Sequence, residues 1–324
     1  MQQSDYAFQE FPWAGAEPDP RSERLCSAAG RERIRIDCAL EGGRYAPLDV
    51  PPKDEIVVLA YNVERGHHAD EQIRLLLDDA DIPRPDVLLL SEADRGCSRT
   101  GYRHVLRDYA RTLGMYYVYG VEFVELPRLW GPGGCVRGSC EHGNGILSRY
   151  PLGNVRLMRH AANRSWYNPL QRLLRLGEPR LGGRMALAAD VKIGARFLRL
   201  YSVHLESGNA NDDYRLAQAV EVAEDGLASR FGAIIGGDIN TGRYLADVRD
   251  GTALERVTQA LFQRGYVDAH AAHPPERRIT TRSGVIIDVI FGRGVEFVES
   301  GVGSAGKWRD VSDHVPVWAL VRLP

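Results

Sequence analysis

The chain predicts an α/β fold of the α+β type: a four-layer sandwich of two packed, mostly antiparallel sheets flanked by helices. Three observations predict it. Strand-like segments outnumber helical ones. Many of the strands follow one another directly, which a doubly wound parallel sheet does not allow. Of 324 residues, 44 % are apolar, enough for a sizeable core.

The elements follow in order. Residues 1–53 are rich in Pro, Gly and charge and form an extension. Within it RIRIDCAL puts Ile34, Ile36, Cys38 and Leu40 on one face, the period of an added strand. PLDVPPKDE reads as a linker, and residues 54–324 make the main domain. EIVVLAYN and DVLLLSE are nearly continuous apolar runs, as buried strands are. Between them DEQIRLLLDDA carries Ile73, Leu76 and Leu77 on one helical side. RHVLRDYARTLG spaces Val105, Leu106, Tyr109 and Leu113 helically, with Gly114 as the stop. Strands are expected at MYYVYGVEF, GILS, MALAADV and FLRLYSVHL, then a helix at DDYRLAQAVEVAEDGLASRF and a strand at AIIGGD. TALERVTQALFQRG opens with Thr252 three residues before Glu255, a capping box. VIIDVIFG, VEFVES and PVWALVRL close the chain as strands.

Composition narrows the function classes. A net charge of −2 leaves no global basic field advertising nucleic acid. No run of 18 apolar residues predicts a membrane span, and the N-terminus lacks the pattern of a secretory signal. Five scattered cysteines suit ordinary thiols in a reducing, cytoplasmic compartment, with Cys135 and Cys140 in a Gly-rich loop.

Six strands end in, or contain, polar residues that a core strand does not need. Asn62 ends VVLAYN, Glu92 ends VLLLSE and His204 ends LYSVH. Asp238 and Asn240 follow AIIGG, Asp288 interrupts VIIDVIF, and Asp313 and His314 precede the last strand. Each alone is more often a cap, a turn residue or a satisfied buried group. Together they read as one site. Carboxylates with an Asn and no Cys make a hard, oxygen-rich set that selects Mg²⁺ or Mn²⁺ over Zn²⁺. Two histidines beside a hard cation suit a phosphoryl group, and a further carboxylate can take a proton from water. The chemistry is metal-assisted hydrolysis of a phosphate ester.

The motifs YNV, SEAD, GNGILSRYPL, YSVHLES, GGDIN, IIDVIF and SDHVPV stand in this order across residues 56–320. In this the chain resembles the endonuclease/exonuclease/phosphatase superfamily. The resemblance implies the four-layer fold for residues 54–324 and a role for each residue. Glu92 would be the main metal ligand, with Asn62 beside it and Asp313 close by. Asp238 would orient or deprotonate the attacking water, held by Asn240. His314 would face the phosphate, with Asp288 on its other nitrogen. His204 would clamp a second phosphate oxygen, pointing towards the deoxyribonuclease, sphingomyelinase, 5-phosphatase and deadenylase types. Glu122 and Asp94 are the candidates to support His204. Ser91 stands where many nuclease members have Gln.

Substrate contacts are expected from Arg99, Trp130, Arg149, Trp166 and Trp308. The stretch from Arg149 to Arg184 holds eight arginines and one acid, Glu178, interleaved with Trp166 and Tyr167. That pattern fits either a grip on a phosphate chain or a solvated basic loop. The expected activity is a phosphodiesterase, with nuclease as the commonest form and nucleic acid as a possible partner. A phosphatase or phospholipase C-type hydrolase is the alternative, and a non-catalytic binding module on the same fold the second.

Overall fold

The structure is a computed structural model and describes residues 7–11, 40–125, 140–166, 180–208, 212–241 and 253–324. Two sheets pack face to face. The first joins β1 (Leu40–Arg44), β4 (Tyr116–Glu125), β5 (Cys140–Ser148), β3 (Val87–Arg95), β2 (Glu55–Arg65), β14 (Val317–Arg322) and β13 (Glu296–Val302) in that spatial order, with β7 (Arg180–Gly182) on β4. The second joins β11 (Val267–Asp268), β12 (Asp288–Arg293), β10 (Gly232–Asp238), β9 (Arg196–His204), β8 (Met185–Ile193) and β6 (Leu152–Arg159). All neighbours are antiparallel except β2–β3 and β9–β10. The expected fold class is the one observed.

The apolar runs explain the layers. Facing sides of the sheets meet through Val58, Ala60, Leu89 and Ile146 on one and Leu187, Leu200, Ile234 and Ile290 on the other, all fully buried. Each such aliphatic side chain contributes about 1.5–3 kcal/mol by leaving water. Gly236 permits the approach, since a Cβ there would meet Leu89 Cδ1 at 2.6 Å.

Helices cover the outer faces. α1 (Ala69–Asp78) and α2 (Val105–Leu113) pack Ile73, Leu76, Leu106 and Tyr109 onto the first sheet. In α2 the His104 ring accepts the Arg107 N–H, and Gly114 at φ 65° closes the helix. α3 (Asp212–Leu227) and α4 (Ala253–Phe262) bury Val222, Ala223, Val257 and Leu261 against the second sheet. The short α5 (Ala305–Trp308) precedes β14.

Several expectations change. Among the described residues the N-terminal extension contributes a strand at Leu40–Arg44, paired with β4; Ile34, Ile36 and Cys38 lie outside them. β6 occupies part of the basic stretch, for which no strand was expected. Asp288 begins its strand instead of interrupting it. Thr252, Trp130, Tyr167 and Cys135 lie outside the described residues. Cys97 and Cys140 are not free thiols. They form a buried disulfide with Cα atoms 4.5 Å apart.

Candidate functional site

Sheet register assembles the site. In the second sheet, parallel β9 and β10 pair His204 with Asp238, and antiparallel β12 pairs Asp238 with Asp288. Residues opposite one another on neighbouring strands project from the same face. One rung of three strands thus presents an imidazole and two carboxylates together. Gly237 makes this rung possible. Its φ is +142°, and a Cβ would lie 2.0 Å from the Val203 carbonyl oxygen.

The first sheet contributes from bulges. Pairing of β2 with β3 shifts register between Asn62 and Arg65, and pairing of β3 with β5 shifts between Leu90 and Ala93. Glu92 sits in the second irregularity at φ 59°, a left-handed conformation uncommon for a non-glycine residue. The bulge turns its carboxylate towards the other sheet, where His204 Nε2 lies 3.8 Å away. Asn62 bridges the sheets directly: its Nδ2 donates to Asp238 Oδ2 at 3.1 Å, and its Oδ1 accepts the Glu64 N–H.

Asp238 is the hub. Its Oδ2 is 3.7 Å from His204 Nε2 and 3.9 Å from His314 Nε2. Burial pushes its carboxyl above the usual carboxylate range, against the pull of His314 and His204. Its Oδ1 accepts the Asn240 backbone N–H at 2.8 Å. The Asn240 side-chain amide donates instead to the Leu205 carbonyl at 3.1 Å, so it is the backbone of Asn240, at φ 51°, that holds Asp238. His314 Nδ1 pairs with Asp288 Oδ2 at 2.8 Å. Burial would lower the His314 pKa, but Asp288, then Asp238 and Asp313, raise it to about 10. Asp313 is half exposed, with Oδ1 3.9 Å from His314 Nε2 and its N–H on Glu64.

His204 is held by two groups that sequence reading left open or missed. Arg184 Nη1 lies 2.6 Å from its Nδ1, and Glu122 Oε2 lies 3.4 Å from the same nitrogen. Arg184 also donates to Glu122 Oε1 at 2.7 Å. Burial opposes ionisation of Glu122, but Arg184 and His204 bring its pKa down to about 2. Asp94, the other candidate for that role, belongs elsewhere. Its Oδ1 is 3.0 Å from Nδ1 of His142, a third site histidine hidden in the EHGNG run at the head of β5. Glu92, His142 and His204 offer ligand atoms within 4.8 Å of one another, and so do Asp238, Asp288 and His314. Burial tends to raise the Glu92 pKa, yet His142, His204 and Arg184 hold it well below the usual range.

This donor set fits a divalent cation: carboxylates, amide oxygen and imidazoles, without thiolate. Glu92, clustered with His142 and His204, could hold it, with Asn62 and Asp313 on neighbouring segments.

The expected substrate contacts fare less well. Trp308 is fully buried, with Nε1 donating to Asp79 at 2.8 Å and its ring edge-on to Tyr61. It is a core residue because α5 docks it under β2. Arg99 is consumed by Asp94, at 2.6 and 2.9 Å, and so supports His142 instead of reaching substrate. Arg149 binds Asp86 beside Lys53. It lies seven residues beyond His142 along β5, about 23 Å at strand rise, at the far end of the sheet. Among the described ones Trp166 stands by the site, under the Arg164 guanidinium at 3.5 Å and 4.9 Å from that of Arg184.

Fold and site together define a class: a two-sheet sandwich whose strand ends converge on an oxygen- and imidazole-lined centre for phosphoester chemistry. Comparison with known proteins is in accord. The model of the Endonuclease/Exonuclease/phosphatase family matches residues 59–314. Among curated proteins none matches. An endonuclease/exonuclease/phosphatase from Beutenbergia cavernae is similar in structure, with a TM-score of 0.61 and 17 % identity over 84 % of this chain and 72 % of that one. So are D. rerio TDP2 complexed with single-strand DNA product (0.57, 17 %, 83 % and 99 %) and the human Nocturnin catalytic domain with bound sulfate (0.54, 16 %, 85 % and 97 %). The chain belongs to the Endonuclease/Exonuclease/phosphatase family and is by class a phosphoester hydrolase.

Proposed function

We propose that the protein is a divalent-metal-dependent phosphodiesterase, using Mg²⁺ or Mn²⁺, that cleaves nucleic acid by in-line attack of water. The observation that carries this reading is the set of contacts on Asp238. One carboxylate oxygen meets Asn62 at 3.1 Å, His204 Nε2 at 3.7 Å and His314 Nε2 at 3.9 Å, so polar groups from both sheets converge on it. Glu92 and Asn62 would hold the cation, which would supply Lewis-acid withdrawal of charge from the phosphate.

The residues divide the remaining work. Asp238, its pKa raised by burial, takes the proton from the attacking water. His314, kept protonated by Asp288, donates to a non-bridging oxygen as charge builds there. Arg184 can only donate, so at 2.6 Å it fixes the His204 proton on Nε2 and aims a second donor at the phosphate. No covalent intermediate is needed.

Trp166, with the Arg164 guanidinium stacked on it at 3.5 Å, puts an aromatic and cationic group beside the centre, a pairing that suits a nucleic-acid chain. The D. rerio TDP2 structure holds a single-strand DNA product on the same fold. For location, no helix among the described residues is long and apolar enough to cross a membrane. The Cys97–Cys140 disulfide favours an oxidising compartment over the cytoplasm expected from the cysteine count.

Hydrolysis of a chromogenic bis-aryl phosphate is expected to require divalent metal and to collapse in Asp238→Ala and His314→Ala. Full turnover by both variants would defeat the assignment. Parallel incubations with single-stranded oligonucleotide, plasmid, inositol phosphates and sphingomyelin identify the substrate. Turnover confined to the last two would replace the nuclease reading with a small-molecule or lipid one.

A further inference from the structure

Two imidazoles face Glu92, and their neighbours make them unlike. His204 receives a donor on Nδ1, from Arg184, and so presents Nε2–H. His142 meets an acceptor on Nδ1, the Asp94 carboxylate at 3.0 Å. Arg99 donates to both oxygens of Asp94, at 2.6 and 2.9 Å, and so fixes the carboxylate against the His142 ring. In the neutral form of His142 this contact puts the proton on Nδ1 and leaves a lone pair on Nε2. In that form the nitrogen cannot donate to phosphate, and its lone pair, clustered with the Glu92 carboxylate, can ligate a cation. A metal ion is the partner it suits.

We propose that His142 supplies a nitrogen ligand to the divalent cation held on Glu92, so that this site binds Mn²⁺, and the borderline ions Co²⁺ and Zn²⁺ with it, more tightly than Mg²⁺. The placement of that cation rests on the functional reading above. Geometry supports the ligand. Glu92 and His142 offer atoms within the 4.8 Å cluster. The Glu92 side chain is 24 % exposed, free to adjust and open to water that completes the coordination. His142 is held rigidly, with its side chain 2 % exposed. Carboxylate, imidazole and metal in line is the arrangement that orients a histidine ligand and raises its basicity, and Arg99 is the residue that keeps the carboxylate in place. An imidazole nitrogen moves the preference away from the hard, strongly hydrated Mg²⁺.

The test uses the full-length protein without substrate. Pulsed electron-spin-echo spectra of the Mn²⁺-loaded protein should show directly bound ¹⁴N. His142→Gln should abolish that coupling, and His204→Gln should retain it. By calorimetry, Asp94→Asn should weaken Mn²⁺ by about 10–100-fold while changing Mg²⁺ little. Absence of nitrogen coupling in the wild type, or its survival in a folded His142→Gln, overturns the proposal. If His142→Gln does not fold, an unchanged Mn²⁺/Mg²⁺ affinity ratio in Asp94→Asn overturns it. The two readings fail separately. Nitrogen coupling without hydrolysis of any phosphoester upholds this ligand and refutes the phosphodiesterase, and hydrolysis without nitrogen coupling does the reverse.

Discussion

Replacing Asp288 by Asn should cost the enzyme its activity at high pH before it costs anything else. Asn keeps an oxygen that can accept from His314 Nδ1 across the present 2.8 Å, so the ring stays in place while the charge is removed. Asp288 is the foremost cause of the rise in the His314 pKa to about 10 from the ordinary 6.5. An adjacent opposite charge moves a pKa by roughly 1–3 units, or about 1.4–4 kcal/mol between the protonation states. Brought down by ~2.5 units, His314 would be only about one-tenth protonated at pH 8.5, where the wild type is almost wholly so, a roughly tenfold loss. The alkaline limb of kcat/KM on a bis-aryl phosphate should therefore move down in Asp288→Asn, with little change near pH 6. Stability carries the same sign. A folded-state pKa above the unfolded one stabilises fully below pH 6.5 and ceases to do so as pH rises through about 10. The wild-type melting temperature should fall over that window more steeply than that of the variant. Superimposable alkaline limbs would refute the argument that Asp288 keeps His314 charged.

Three other outcomes are expected. Gly237→Ala forces a Cβ to within 2.0 Å of the Val203 carbonyl, so the rung must open. Calorimetry should show a loss of at least 1–3 kcal/mol, and turnover should vanish. His204→Gln removes one donor to the phosphate and should lower kcat by ~10²–10³ with the fold intact by circular dichroism. Reducing the Cys97–Cys140 bridge, which closes a 43-residue separation, should lower stability by about 3–5 kcal/mol in denaturant titrations, and a non-reducing digest should yield the linked peptide.

The legible part of the site was the part written at strand ends. Asn62, Glu92, His204, Asp238, Asp288 and His314 each break an apolar run, and the structure brings them together. The fold class followed from the same runs, because their length and adjacency dictate which faces must be covered. His142 was invisible for the opposite reason: it sits among glycines, Asn and Glu, where a polar residue breaks no pattern. Asp94 and Arg99 were visible as residues but not as its support, since their service depends on the β3–β5 register. Arg149 was misplaced because membership of a basic stretch does not say where the chain carries each of its residues. On an extended strand, seven residues separate opposite ends of a sheet. The Cys97–Cys140 pairing joins residues whose spacing carries no signal, and Trp308 and an exposed aromatic look alike in a sequence until a helix buries one of them.

The shared rung of β9, β10 and β12 has a consequence for how this protein can decay or diverge. A slide of β10 by a single residue would turn Asp238 to the other face and part it from His204 and Asp288 in the same motion. Impairment through that sheet is therefore abrupt rather than gradual: molecules are either fully competent or silent. A partly denatured sample should then consist of fewer working copies, each running at its normal speed.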